Sequence, residues 1–550
     1  MNRRGSPRAH ARIARSWLIA LVLGLSLQAC GGGGSDGNAT GGGSTDIGSS
    51  ANKEMTAALP TDTPLTAGPG CDLSYTITND PLLEGADPEI YRQWHLGSFD
   101  TTAGAQIAGI QAVSAWSLTK GEGIIVGVID DAVEVSHPDL RANLVDGSVS
   151  FRKNNPSGYP IPCLHTDDDH GTAVAGILLA RDSNGFGGAG VAPRAGLVAY
   201  DALTTEMTAD IVSALTSKNQ TISIYQNSWG SPDTRAVSDS GTAFARAIED
   251  GINLGRGGLG SIFVFSGGNG GGADNANLDG FANRRGIIAV CGVDREGRKM
   301  ELVDAGGSEP GANLLVCAPG IGITTTGLKR EMRSDFSGTS AATPMVSGVA
   351  ALMLSINQSL TWRDVPIILA RTAQKNDAAD RGWARSPAGH WIHPYYGFGV
   401  VDAQAAVSLA ARWTSVGGSS AQKRCDSELA TVNKAIPDYP ASGLEVGIDL
   451  NCPGITAIEF VEVQVTTSHT YHGDLRIELV SPRRGVSELI QDRVCDTAVT
   501  DPCGAFNGWT FGSVRHLDES AAGRWTLKIS DRALTDTGSL LSWRIIVHGR

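Results

Sequence analysis

No Cys-x-x-Cys pair occurs in this chain, and no run of lysine and arginine is long enough to track a phosphate backbone. The first absence argues against a zinc site. The second, with a formal net charge of -13 at pH 7, excludes nucleic acid as the main partner. No apolar run after the N-terminal segment reads as transmembrane, and no internal repeat is visible. What is present suits a globular chain with a sizeable core: 41% hydrophobic residues, though only 6% aromatic. A length of 550 residues exceeds one ordinary domain and points to roughly 2–4. The acidic balance fits calcium or cationic substrates as well as it fits simple solubility.

Residues 1–30 stand apart from any fold. Arg3, Arg4, Arg8, Arg12 and Arg15 precede a short apolar run, Trp17 to Leu27, the pattern of an export signal too short to span a bilayer. It ends Leu27-Gln28-Ala29-Cys30, which resembles a bacterial lipobox despite the unusual Gln28. The expectation is an exported chain: an outer-membrane lipoprotein, periplasmic or secreted, touching membrane only through a lipid on Cys30. Eight cysteines then remain, an even number that favours disulfides in an exported protein. Local spacing pairs Cys495 with Cys503, Cys425 with Cys452 and Cys291 with Cys317, which leaves Cys71 for Cys163.

Residues 31–70 are mostly Gly, Ser, Thr and Ala, with few apolar anchors, and read as a flexible tether. Over 71–413, apolar runs such as GIIVGVID, ISIYQNSWG, SIFVFSGG and GIIAVCGV alternate with helical patterns such as TPMVSGVAALMLS. That alternation predicts a parallel α/β sheet, with ligands beyond the carboxyl ends of its strands. Residues 414–443 read as a linker. From 444 to 550 the period falls to two, in TAIEFVEVQV, DLRIELVSP, GRWTLKISD and LSWRIIVHG, which predicts an all-β sandwich with Trp525 and Trp543 in its core.

Peptide hydrolysis by a serine needs a nucleophile, a base, an acid that orients the base, and donors for the oxyanion. Each has a candidate at a suitable address. Asp130 ends the strand GIIVGVID. His170 opens a helix in DDDHGTAVAGILLA. Ser340 starts another in SGTSAATPMVSGVAALM, and Asn269 follows the strand SIFVFSGG. The chain order Asp, His, Ser is one of the known orders of such triads.

The segments VGVIDDAVEVSHPDL, DHGTAVAGIL and GTSAATPMVSG resemble the signature blocks of subtilisin-like proteases. DPEIYRQWHL, the doubled Asp130-Asp131, IYQNSWG, FSGGNGG and HPYYGFGVVDA resemble the kexin/furin branch, and residues 444–550 resemble its jelly-roll-like P domain. The resemblance implies Ser340 as nucleophile, His170 as general base, Asp130 orienting it and Asn269 as oxyanion donor. It implies calcium held by Asp87, Asp139 and Asn184, and a second calcium at Asp233, Asp274 and Asp304. Among substrate-facing acids it implies Asp279 and Asp233 at S1, Asp131 and Asp167 at S2, and Asp239 at S4. The expected function is a calcium-dependent serine endopeptidase acting on peptides with basic residues. Broad-specificity cleavage, or an inactive surface scaffold, are the alternatives.

Two features depart from the branch. Ala132 stands where a glycine is usual after the paired acids. Only about 55 residues, largely Gly- and Ser-rich, separate Cys30 from Asp87, too few for a folding propeptide, so folding help is expected from a separate chaperone. His165, five residues before His170, offers a weak metal reading, and His137 reads as structural.

Overall fold

Six short stretches rich in valine and isoleucine form the central sheet, since branched side chains fit a pleated, buried surface. They are β1 (Ile125–Ile129), β2 (Gly196–Tyr200), β3 (Ile224–Asn227), β4 (Ile262–Ser266), β5 (Ile287–Val293) and β6 (Leu314–Pro319). Their order is β6-β5-β4-β3-β1-β2, and every neighbouring pair is parallel. The chain leaves β1 for the outer strand β2 and returns to β3 on the other side. That reversal opens a crevice beyond the carboxyl ends of β1 and β3. Strands β3 to β6 are buried at every position, so both faces of the sheet are covered.

The covering helices include α1 (His170–Leu179), α2 (Thr208–Thr216), α3 (Gly241–Leu254) and α4 (Thr339–Ile356). Helix α4 is long and apolar enough to cross a membrane, but it is buried within this domain from Thr339 to Leu354. This computed structural model describes residues 64–66, 74–76, 85–97, 99–100, 107–153, 155, 157–163, 168–303, 306–495 and 503–550. Cys30, Cys71, His165, Asp167 and Asp304, together with the signal segment and most of the tether, lie outside the described residues.

The second domain is a sandwich of antiparallel sheets, made of β7 (Lys423–Asp426), β8 (Ala430–Ile436), β9 (Leu444–Leu450), β10 (Ile458–Thr467), β11 (Leu475–Val480), β12 (Val486–Ile490), β13 (Trp509–Ser513), β14 (Gly523–Asp531) and β15 (Gly538–Gly549). One sheet runs β7-β15-β10-β13, with β8 also on β15, and the other runs β9-β14-β11-β12. The expectation of a linker over 414–443 is corrected here. Strands β7 and β8 both pair with β15, so the sandwich begins near Lys423. Trp525 and Trp543 lie in its core, as expected. Disulfides join Cys291 to Cys317, Cys425 to Cys452 and Cys495 to Cys503.

The two domains share their cores. Phe460, Val514 and Leu517 of the sandwich pack into the first domain's cluster, and Leu278 and Ala312 of the first domain pack into the sandwich. Buried polar groups are paired across the boundary. Arg363 meets Glu459 at 2.6 Å. Asn283 Nδ2 donates to the Thr510 carbonyl, and Asn277 Nδ2 to that of Leu489. Ending the chain after Trp413 strips this cover and leaves the fully buried guanidinium of Arg363 without its carboxylate, a costly loss. The truncated protein is expected to be insoluble, or to melt well below the full chain. A soluble truncate with an unchanged thermal midpoint would contradict a shared core.

Candidate active site

Asp130 follows the last residue of β1 and is completely buried. Its Oδ1 accepts a hydrogen bond from His170 Nδ1 at 2.8 Å. In the neutral ring that bond leaves Nε2 as the acceptor, the form a general base needs. Asp131 holds the start of α1: its Oδ2 accepts from the His170 N–H at 3.1 Å and its Oδ1 from the Gly171 N–H at 2.8 Å. A side chain at Gly171 would lie 2.2 Å from the Ala132 carbonyl oxygen, so glycine is what lets α1 approach β1 this closely.

Ser340, the candidate nucleophile, sits in the first turn of α4. Gly338 precedes it at φ 120°, a conformation open to glycine. Pro344 lies inside the helix and carries no N–H, so the Ser340 carbonyl lacks its usual helical donor. Ser228, just beyond β3, fills the gap: its Oγ donates to the Ser340 carbonyl at 2.9 Å. In return Ser340 Oγ donates to the Ser228 carbonyl at 3.1 Å. Beside them, Asn269 Oδ1 accepts from both Thr339 N at 2.9 Å and Thr339 Oγ1 at 3.0 Å. With its carbonyl end held twice, the amide keeps Nδ2 as the candidate donor for an oxyanion.

Burial opposes a charged His170, but the Asp130 carboxylate, with Asp131 and Asp169, outweighs it and raises the ring's pKa. An imidazolium cannot accept the Ser340 proton. Activity should therefore appear only as pH rises through that raised pKa, above the ordinary histidine value of 6.5. Replacing Asp169 by Asn removes one of the charges responsible. It should move the acid limb of kcat/KM to lower pH. An unmoved limb would show that Asp169 does not act on the base.

Of the acids expected to face substrate, Asp279 accepts from Ser231 N at 3.1 Å, Ser231 Oγ at 2.9 Å and Phe281 N at 2.8 Å. It lies under Gly230, where a side chain would come 2.3 Å from its Oδ2. Asp239 is exposed and caps α3 through the Gly241 N–H at 3.0 Å. Asp131 is tied to backbone donors as described, and Asp167 falls outside the described residues.

Two clusters of hard oxygens could hold cations. At the first, Asp87 accepts from the N–H groups of Ser183 and Asn184, at 2.8 and 3.0 Å, and Asn184 Nδ2 donates to Asp139 at 2.9 Å. Burial raises the pKa of Asp87, and raises that of Asp139 to about 7. At the second, carboxylate oxygens of Asp233, Asp274 and Glu309 all lie within 4.8 Å of one another. Glu309, which the sequence reading missed, is the third acid found there. Asp304, the residue expected, is not among the described ones. Burial and the two neighbouring carboxylates push Glu309 well up, the situation a divalent cation relieves. Glu309 also accepts from the Gly270 N–H at 2.9 Å, directly behind Asn269. His137 is structural: its ring accepts from the Asp139 N–H and bonds the Glu331 carbonyl.

An Asp–His couple with its carboxylate buried and its ring partly exposed, a serine at a helix start and a fixed amide beside it, all at one edge of a parallel sheet, are the parts of a serine peptidase of the subtilisin type. Comparison with known proteins agrees. Residues 121–390 match the subtilase family and residues 458–547 the proprotein convertase P-domain. Neuroendocrine convertase 2 of Mus musculus is 32% identical over 495 residues, covering 86% of this chain and 76% of its own length. Furin-like protease 1 of Drosophila melanogaster is 32% identical over 453 residues, and the chain spans 35% of that relative's length. A solved Aeromonas sobria serine protease, in complex with a chaperone, shares the fold with a TM-score of 0.75 at 24% identity, over 91% of this chain and 100% of that one. The chain belongs to the subtilase family of serine proteases and is homologous to the furin- and kexin-like convertases that carry a P domain.

Proposed function

We propose that this chain is an exported, calcium-dependent endopeptidase that cleaves after arginine or lysine and favours dibasic sites. The observation that supports this reading best is Asp279, a carboxylate held by Ser231 beneath Gly230, in the segment that follows Ser228, the partner of Ser340, where a P1 side chain would enter. His170 takes the Ser340 proton as Oγ attacks the scissile carbonyl. Asn269 Nδ2 meets the oxyanion, and His170 returns the proton to the leaving amine. Asp87, Asp139 and Asn184, and Asp233, Asp274 and Glu309, would hold calcium, which would neutralise these clustered carboxylates and stiffen the loops that carry the site. The lipobox-like Cys30 anchors the exported chain by lipid. Folding help comes from a separate chaperone, in keeping with the chaperone named for the Aeromonas sobria neighbour.

Cleavage of matched peptides with Lys-Arg, Ala-Arg or Ala-Leu before the scissile bond, with calcium and with EDTA, tests the reading. The expected order of kcat/KM is Lys-Arg, then Ala-Arg, then Ala-Leu, with activity lost on chelation. Equal rates for the three peptides would leave a broad-specificity protease. Unchanged rates in EDTA would remove calcium from the proposal.

A further inference from the structure

Behind the nucleophile, a polar seam crosses an otherwise apolar core. Ser347 lies seven residues after Ser340 on α4, two helical turns along and so on the same face of the helix. Its Oγ donates to Gln226 Oε1 at 2.5 Å. Gln226, on β3, donates from Nε2 to Ser228 Oγ at 2.7 Å. Ser228 Oγ then donates to the Ser340 carbonyl, and Ser340 Oγ to the Ser228 carbonyl. Gln226 and Ser347 are completely buried, and around them lie Ile224, Val264, Val346 and Ala350.

We propose that Gln226 and Ser347 are positioning residues that set the height and rotation of α4 against β3, and through Ser228 the placement of the Ser340 hydroxyl. Apolar packing fills space but tolerates small slips, whereas hydrogen bonds between buried groups accept only a narrow range of distances and angles. Two rungs fix the helix: Ser340 with Ser228 at its start, and Ser347 with Gln226 two turns on. Gln226 joins the rungs, because its amide occupies the acceptor side of the hydroxyl that supports the Ser340 carbonyl. Pro344 is part of the device, since the N–H it lacks is what leaves that carbonyl open to Ser228. A displacement of about 1 Å at a reacting atom can cost about 10²-fold in rate, so the seam bears on turnover without touching substrate.

The inference rests on the reading of Ser340 as nucleophile, and the test separates the two. Labelling of full-length protein by a fluorophosphonate, kcat and KM on one peptide, and the thermal midpoint are measured for wild type, Ser340→Ala, Gln226→Leu, Ser347→Ala and the double variant Gln226→Leu/Ser347→Ala. Each single change leaves a buried polar group unpaired and should lower the midpoint. The double change removes both partners together and should recover most of that loss. Labelling rate and kcat should stay about 10- to 100-fold below wild type in the double variant, with KM little changed. Recovery of wild-type kcat along with the midpoint would reduce the seam to a structural role and overturn the inference. Gln226→Leu and Ser347→Ala variants that label and turn over like wild type would overturn it too. Wild type that takes no label at Ser340 would overturn the nucleophile itself, and the seam's role with it.

Discussion

Ser340→Ala and His170→Ala are each expected to lower kcat by about 10⁶-fold, and the double variant by scarcely more, because the triad acts as a unit. The proposed roles give the reason. His170 is useful only while Asp130 holds Nδ1 and leaves Nε2 free for the Ser340 proton. Asp130→Asn keeps the shape but can present an N–H to Nδ1, which favours the wrong tautomer and should cost about 10⁴-fold. Asn269→Ala removes one oxyanion donor and should cost about 10²–10³-fold in kcat with KM little affected. It also leaves the Thr339 N–H without its acceptor and the hydroxyl with only the longer bond to the Gly268 carbonyl, so a modest fall in stability should accompany it. Fluorophosphonate labelling and single-turnover kinetics measure these losses. Near wild-type turnover in Ser340→Ala would exclude this serine as the nucleophile.

The parts of the site legible in the sequence were those written in local chemistry. Asp130 at a strand end, His170 with the glycine its helix requires, and Ser340 before a small-residue helix each sit in a short block whose pattern is fixed by close backbone approach. What escaped depends on pairing across long separations. Glu309 joins Asp233 and Asp274 only because the loops after β3, β4 and β5 converge. Gln226 lies in a buried strand whose sequence carries no mark of its partner, since Ser347 comes 121 residues later. Strands β7 and β8 were read as linker because their residues are mostly exposed or half exposed, with too few apolar positions for a period-2 signal. Their strand character comes from β15, more than a hundred residues downstream. Asp131 was read as a substrate-facing acid. The structure gives its oxygens three backbone donors, Ala132, His170 and Gly171, so it also anchors α1.

Asp279→Ala should abolish the preference for arginine over leucine at P1 while leaving cleavage of the Ala-Leu peptide within a few-fold of wild type. The carboxylate is held by Ser231 N, Ser231 Oγ and Phe281 N. Gly230 offers no side chain to cover it. Burial and the Asp233 charge raise its pKa, so a cation arriving at P1 meets a group that gains from being paired. A charge-assisted hydrogen bond to a guanidinium is about twice as strong as a neutral one. An apolar P1 side chain instead leaves the carboxylate desolvated and unpaired, at a cost of a few kcal/mol, which corresponds to about 10²–10³-fold in kcat/KM between the two peptides. Removing the carboxylate deletes both the attraction and the penalty, so the ratio should fall toward one chiefly through loss of arginine cleavage. Asp279→Asn separates charge from shape. Its amide nitrogen would face donors at Ser231 or Phe281, so it should lose selectivity as Ala does and be less stable than wild type. Thermal midpoints and Ser340 labelling show whether each variant remains folded and competent. A variant that labels normally and still prefers arginine by the wild-type factor would move P1 recognition away from Asp279.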